Sequence, residues 1–458
     1  EPVNPLLGAM PKTNQMIEFQ VSQEYTGHAT HLCYLPTYWS RILGFETHYS
    51  GTGPTVAEIV DGTADKQSMT GFAGVINLGD DRNWTGSYLA AANAYGFGRL
   101  AWNHSLDTTD IAKEWTALSF GPDEQVISTL SSILGSSWDT FVDYTSPFGT
   151  GYLVRPTGPH FSPDPNATLH LSHHTDSHGS GYDRTLATGS GFTRLYSDYW
   201  FDQYEHLDSC PEDLLMFMHI VPWEHKLANG QTTIQQMYIE YFTGVDDVRA
   251  MRAAWQTLDG RIDQQRFWAI SRQFDQQVFQ SRLWRDVMVS FYFDYARTVS
   301  TNNPWVQLES KGDLALLFGG SANDVSFLLT NATGQAQTLS VAIDPSLKGW
   351  TSNTVKKELK STESKDGGFS ITPPLDPYLG PVRFSCDPAT LTRIGFETQA
   401  VVVTPDAKQC SFSLDIGSKP DSVVSGYTSM TSADIWSSSS KAGWVGKPPL
   451  DVWRGKHW

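Results

Sequence analysis

The stretch Ser22-Gln23-Glu24-Tyr25-Thr26-Gly27-His28 sets a carboxylate, a phenol and an imidazole among amides and hydroxyls that can hydrogen-bond a polyol. Such groups exchange protons with a bound water, and Glu24 is the candidate catalytic carboxylate. Tyr25 and His28 could position it or serve only as structure. Immediately upstream, Met16-Ile17-Glu18-Phe19-Gln20-Val21 alternates apolar and polar residues, the period of a β-strand with one buried face. Charged residues just past the C-terminal end of such a strand are where α/β barrels keep their chemistry. Glu18 shares a face with Met16 and Gln20, opposite Ile17, Phe19 and Val21, and is the nearest rival: it could orient Glu24 or a polyol hydroxyl.

A second strand is expected at Gly71–Leu78, its near-continuous apolar run matching burial on both faces. Asp80, Asp81 and Arg82 follow it at the same barrel end, as a salt-bridged network shaping the site rather than as reacting groups. His160, His170, His173, His174 and His178 gather with Asp176, Asp183 and Arg184 in a loop-rich segment, 146–192. Adjacent His side chains diverge and no second cluster supports a closed site, so no metal is expected. Asp183 and Arg184 are expected to pair with each other. No phosphate-binding glycine loop, Gly-x-Ser-x-Gly elbow or Cys-based nucleophile occurs, and no cofactor is implied.

These residues must be held by a chain of 458 residues with a formal charge of −17 and 12% aromatic content. The acidic balance excludes a phosphate-backbone partner, since nucleic-acid binding leaves a basic footprint. No apolar run approaches the ~20 residues that span a bilayer. Four Cys are too few for a disulfide scaffold, although Cys386 and Cys410 could bridge in an oxidising compartment. Of the Asn-x-Ser/Thr sequons, Asn166 and Asn331 are the expected glycan sites.

The elements fall into three groups. Two strand–helix units occupy residues 1–106. Residues 107–301 read as helical: a helix capped by Asp107 and stopped by Gly121-Pro122, one through Val126–Leu134, one opened by Pro211-Glu212-Asp213 and ending near Pro222, one from a Thr233–Gln236 capping box to Phe242, one over Val245–Leu258, and a long one over Asp263–Tyr295. The last carries Phe267, Ile270, Phe274, Val278, Met288, Phe291 and Tyr295 on one stripe, a core face that could also meet a second subunit. Residues 305–458 carry short β-type runs between Gly, Pro and Asn turns, from Leu314–Phe318 to Cys410–Ile416, which implies a β-sandwich. It could bind carbohydrate or simply pack, and packing is the preferred reading.

The blocks EPVNPLLGAMPKTNQMIEFQVSQEYTGHATHLCYL, GFAGVINLGDDRNWTGSYLAAANAYGFGRLAWN, HTDSHGSGYDRT and CPEDLLMFMHIVPWEHKLANGQT, with the long helix, resemble the family-67 α-glucuronidases over roughly the first 300 residues. That resemblance implies an extracellular, inverting glycoside hydrolase that removes (4-O-methyl-)glucuronic acid from glucuronoxylan oligosaccharides, with Glu24 as one of the acidic pair that activates water. It also implies a homodimer through the helical domain, as in bacterial relatives, and a loop at 173–185 over the barrel mouth. The expected fold is α/β: the last part of a (β/α)8 barrel, then the α-helical domain, then the sandwich.

Two strand–helix units are short of the eight that close a barrel. In the family the earlier strands carry the general acid, the second carboxylate of the pair and the basic groups that hold the uronate. Glu1 opens the sequence without an initiator Met, so its true start is expected to have been lost or removed. The missing amino-terminal barrel half is therefore an expected partner, and the chain by itself is expected to be inactive. A non-catalytic carbohydrate-binding or structural protein that keeps half of the hydrolase fold is the alternative, and an upstream reading frame encoding the first six strands would decide for the enzyme.

Overall fold

The computed structural model describes residues 3–403, apart from 11, 24–25, 28–29, 49–52, 80–84, 151–162, 167–170, 312–315 and 377, together with two short strands at 414–416 and 428–430. The chain divides into two compact units, Glu1–Arg297 and Thr298–Trp458.

In the first unit, a one-turn helix α1 (Asn4–Leu7) precedes β1 (Met16–Gln20). The chain crosses through α2 (Leu35–Leu43) and α3 (Val56–Val60) and returns as β2 (Gly71–Val75), parallel to β1. Parallel neighbours require such a crossover. Pro36 sits in the first turn of α2, where its missing N–H costs nothing, and Thr55 and Glu58 close a capping box on α3.

Phe19 of β1 packs on Trp39 of α2 and on Phe72 of β2, with ring centroids 5.6 and 5.9 Å away. Gly74 admits the ring of Phe97 from α4 (Ala91–Trp102); a Cβ at 74 would lie 2.8 Å from it. The expected burial of the second strand on both faces is not found. It ends at Val75, Phe72 and Ala73 are only half-buried, and Gly74 and Val75 are exposed. The cause is that β1 is the sole strand beside it among the described residues, so a sequence built for a sheet interior stands at an edge.

Helices α5 (Thr108–Phe120), α6 (Glu124–Thr145), α9 (Thr233–Gln256) and α10 (Gln264–Ala296) follow, with α6 against both α5 and α9, and α9 against α10. Asp107, Asp123, Thr232 and Asp263 cap them by accepting first-turn N–H groups. Two expectations are corrected here. The segment after Pro211 is a 3-10 turn and a single helical turn, α8 (Leu215–Met218), which leads into β4 (Ile220–Pro222). The two helices expected on either side of residue 244 are one helix, α9, because Gly244 is a contact point rather than a breaker: a Cβ there would come within 2.8 Å of the Tyr144 backbone nitrogen on α6. Between α6 and α9 also lie β3 (Gly179–Gly181), antiparallel to β4, and α7 (Asp198–Tyr204).

Among its described residues, the second unit contains two five-stranded sheets. One contains β5 (Trp305–Ser310), β7 (Asn323–Ala332), β9 (Thr351–Ser352), β11 (Ser364–Thr372) and β13 (Thr392–Ile394), in the order β13-β5-β7-β11-β9. The other contains β6 (Leu316–Phe318), β8 (Gln337–Ile343), β10 (Val355–Leu359), β12 (Tyr378–Asp387) and β14 (Glu397–Val403), in the order β10-β8-β12-β14-β6. Both contribute to one apolar core in which Phe327, Phe369 and Phe384 stack in sequence at 4.5 and 5.2 Å. A further parallel pair joins β15 (Leu414–Ile416) to β16 (Thr428–Met430).

Gly367 faces Phe327 across β11 and β7, and a Cβ there would sit 2.4 Å from the ring, so glycine lets the ring lie over the strand. The sequence signal is weak for β10 because Lys and Glu take most of its positions, and for β11 because Lys, Asp and two Gly follow one another in it. Asn331 is not a glycan site. Its side chain is buried, its amide donates to the carbonyls of Gln335, Leu359 and Lys360, and its oxygen accepts from Thr333 N–H, leaving nothing for a transferase to reach. Asn166 is exposed. Cys386 is a buried free thiol, and Cys410 lies outside the described residues. Among the described residues no helix is long and apolar enough to cross a membrane.

Candidate active site

Parallel pairing brings the C-terminal ends of β1 and β2 side by side. Val21 N–H donates to the Val75 carbonyl at 2.7 Å, and Asn77 N–H donates to Ser22 Oγ at 3.2 Å. Gln20 Nε2 also donates to Ser22 Oγ, at 2.8 Å. The segments that lead toward Glu24 and toward Asp81 and Arg82 therefore leave one end of one sheet, joined through Ser22. Glu24, Tyr25, His28, Asp80, Asp81 and Arg82 themselves lie outside the described residues. Glu18 is exposed on the face shared with Met16, while Phe19 and Val21 are buried on the other.

From residue 31 the chain runs irregularly through the protein interior, and side chains satisfy its backbone group by group. Leu32 N–H donates to Gln277 Oε1 of α10 at 2.9 Å. The Cys33 carbonyl accepts from Asn93 Nδ2 of α4 at 3.0 Å, and Leu35 N–H returns to Asn93 Oδ1 at 2.9 Å. Tyr34 N–H donates to Ser137 Oγ of α6 at 2.8 Å. Gln23, the residue before Glu24, donates from Nε2 to the carbonyls of His31 (2.7 Å) and Thr26 (3.2 Å). Tyr144 of α6 completes the set, with its hydroxyl 2.6 Å from His31 Nδ1 and 3.3 Å from Gln277 Nε2. Gln23, His31, Asn93, Ser137, Tyr144 and Gln277 are all buried, where an unmet backbone donor would cost about 1–3 kcal/mol. Burial also drives the Cys33 thiol far above its ordinary range, so it is no nucleophile.

The sequence carries one signal for this network: Gln277 interrupts the apolar stripe of α10 at a core position, three residues after Phe274 and four before the buried Ser281. A polar side chain placed there must have a partner.

Asp183 and Arg184 do not meet each other. Burial alone would raise the Asp183 carboxyl, but hydrogen bonds from the Thr188 and Thr185 hydroxyls, both 2.7 Å, outweigh it and hold the group below its ordinary value. Arg184 donates from Nε to the Phe217 carbonyl at 2.7 Å, and its guanidinium lies 4.1 Å from the centre of the Phe217 ring. Glu205 accepts from Leu186 N–H, Ala187 N–H and the Thr193 hydroxyl, so two carboxylates hold the 183–193 loop. His173, His174 and His178 are exposed, and among the described residues no three His, Cys, Asp or Glu side chains converge as metal ligands.

Comparison with known proteins bears on this arrangement. Residues 1–84 match the glycosyl hydrolase family 67 middle domain, and residues 85–303 match the glycosyl hydrolase family 67 C-terminus. An alpha-glucuronidase from Hypocrea jecorina is 36% identical over 296 residues, covering 64% of this chain and 35% of that protein. Alpha-glucuronidase A from Aspergillus tubingensis is 35% identical over 321 residues, covering 68% of this chain and 38% of that protein. A probable alpha-glucuronidase A from Aspergillus terreus is 31% identical over 360 residues, 75% of this chain and 43% of that protein. The matches thus span less than half the length of these relatives. Among solved structures, a CARDB domain from Pyrococcus furiosus covers 22% of the chain at 18% identity with a TM-score of 0.17, too slight a likeness to define a fold. Two adjoining parts of one family follow each other from residue 1 to residue 303 without a gap, and the chain belongs to glycosyl hydrolase family 67.

Proposed function

We propose that this chain is the carboxy-terminal portion of an inverting α-glucuronidase that removes 4-O-methylglucuronate from glucuronoxylan oligosaccharides outside the cell, with Glu24 as one of the carboxylates that activate the attacking water. Inversion by direct water attack needs two carboxyl groups about 6.5–9.5 Å apart, one on each side of the scissile bond. The observation that carries the reading is the joining of the segments before Glu24 and Asp81 at one end of a parallel strand pair, in a family whose named relatives are α-glucuronidases. Residues 1–106 are then the last part of a (β/α)8 barrel, residues 107–301 its helical domain and residues 305–458 a sandwich.

An amino-terminal barrel half supplies the general acid. The half-exposed β2 and the exposed Met16, Met69 and Leu78 are what strands of such a partner would cover. Tyr25, His28, Asp81 and Arg82 position Glu24 and the sugar, Glu18 orients a hydroxyl, and Asp183 and Arg184 shape the loop at the mouth. Trp268 and Leu283, exposed on α10, offer apolar surface to a second copy. The purified chain is expected to release no 4-O-methylglucuronate from aldouronic acids. Co-expression with the amino-terminal region of a family-67 α-glucuronidase is expected to restore release, and E24Q to abolish it. Release by the chain alone, or full activity of the E24Q complex, would refute the reading.

A further inference from the structure

We infer that Asn103, on the turn between α4 and α5, is the acceptor of an N-linked glycan. The inference rests on the reading of the chain as an extracellular protein, since sugar is joined to asparagine on the secretory route.

Asn-x-Ser/Thr sequons begin at Asn83, Asn103, Asn166 and Asn331. Asn331 is buried with its amide engaged, and Asn83 and the two residues after Asn166 lie outside the described residues. Asn103-His104-Ser105 is described throughout, and both its Asn and its Ser are exposed. Helix α4 delivers Asn103 by stopping there. The Asn103 N–H closes the last turn on the Arg99 carbonyl at 2.9 Å, and the backbone then becomes extended, with φ −150° and ψ 99°. Asn103 Oδ1 accepts from Ser105 N–H at 3.0 Å, an Asx turn, and Leu106 N–H donates to the Asn103 carbonyl at 3.3 Å. The middle residue anchors this turn: His104 Nε2 lies 3.2 Å from Asp61 Oδ2, and Asp61 Oδ1 accepts from the N–H and hydroxyl of Thr63. With the amide oxygen engaged, Nδ2 has no partner among the described residues, and the neighbouring Trp102 is 88% exposed, so the surface around the acceptor is open.

Transfer needs an amide nitrogen within reach and a folded surface with room for the sugar. Asn103 meets both conditions. Its Nδ2 forms a bond to the anomeric carbon of an N-acetylglucosamine carried on a lipid pyrophosphate, and the bond from that carbon to the phosphate oxygen breaks. The electron pair of the broken bond leaves with the pyrophosphate, one amide proton passes to solvent, and nothing is oxidised or reduced. A glycan here keeps the α4–α5 turn in solvent, so that turn belongs neither to the joint with an amino-terminal barrel half nor to a contact between copies.

The test uses the full 458-residue chain, secreted from a glycosylating yeast behind a cleavable signal, beside N103Q and S105A. S105A keeps the backbone donor that closes the turn and removes only the hydroxyl that completes the sequon. Digestion with peptide N-glycosidase in heavy-oxygen water converts a glycosylated Asn to labelled Asp, which peptide mass spectrometry reads. Labelled Asp is expected at position 103, and each variant is expected to lose the mass of one glycan while keeping the circular dichroism of the parent. Unlabelled Asn at 103 in the secreted parent overturns the inference, as does an unchanged glycan mass in both variants. The chain isolated from its natural source separates the two readings. Recovery from the cell interior with a bare Asn103 refutes the extracellular reading and the modification with it, whereas recovery outside the cell with a bare Asn103 refutes the modification alone.

Discussion

Asp143 on α6 keeps its proton where most carboxyls would lose it. Burial, followed by the Glu240 carboxylate of α9 and by Asp139 and Asp247, pushes it up to about 8 from an ordinary 3.8. Glu240 is held by Gln236 Nε2 at 2.5 Å, and Asp139 is engaged by both Nη atoms of Arg41, so neither turns away. Between the two values the folded protein binds more protons than the unfolded chain, so stability falls as pH rises through that window. Asn at this position needs no proton to donate to Glu240. D143N is therefore expected to match the native chain near pH 4 and to exceed it in Tm at pH 8. At ~1 kcal/mol the gap would be roughly 2–4 °C, read by scanning calorimetry across the pH range. Equal melting curves at pH 8 would show that the carboxyl carries no penalty. Nothing in the sequence announced this pair: the two acids lie 97 positions apart, and only the crossing of α6 and α9 brings them together.

That crossing depends on Gly244. An interior helix glycine ordinarily gains from alanine, by roughly 0.5–1 kcal/mol, and Gly135 of α6, with open space where its Cβ would stand, is expected to follow that rule. G244A should do the opposite, destabilising by about 1–3 kcal/mol, because the new methyl meets backbone that cannot move aside. Urea unfolding of the two variants gives opposite signs if the contact governs the fold, and the same sign if it does not. The elements differ in how far they could be read in advance. α5 and α10 were legible because an acidic cap opens each and an apolar stripe runs through it. The sequence alone divides α9 in two because glycine looks the same in a sequence whether it ends a helix or admits a neighbour. β11 is hard to see in the sequence because its partners supply the apolar cover that its own Gly367 and Gly368 lack.

For the whole molecule, the parallel pair β1 and β2 stands out against the helices beside it. Parallel strands are ordinarily covered on both faces and flanked by further strands, whereas here Met16 is 66% exposed and β2 has one partner among the described residues. In the isolated chain, amides of β1 and β2 should exchange with deuterium far faster than those of α9 and α10, and the amino-terminal barrel region should slow the strand amides while leaving the helices as they were. Equal protection of strands and helices in the isolated chain would show that the pair is already complete. Around the candidate site, the sequence offers Glu24 as an expected strand-end carboxylate, which lies outside the described residues, whereas the side chains that satisfy the backbone of residues 32–35 come from α4, α6 and α10, and no spacing rule connects residues 23, 93, 137, 144 and 277.

Four backbone groups of residues 32–35 find their partners among the side chains of three other helices, α4, α6 and α10. A chimaera that took its first hundred residues from one relative and its helices from another would therefore mismatch donors against acceptors along this stretch, however well its apolar surfaces agreed. The permitted junctions between relatives are those that inherit both sides of this handshake from one parent.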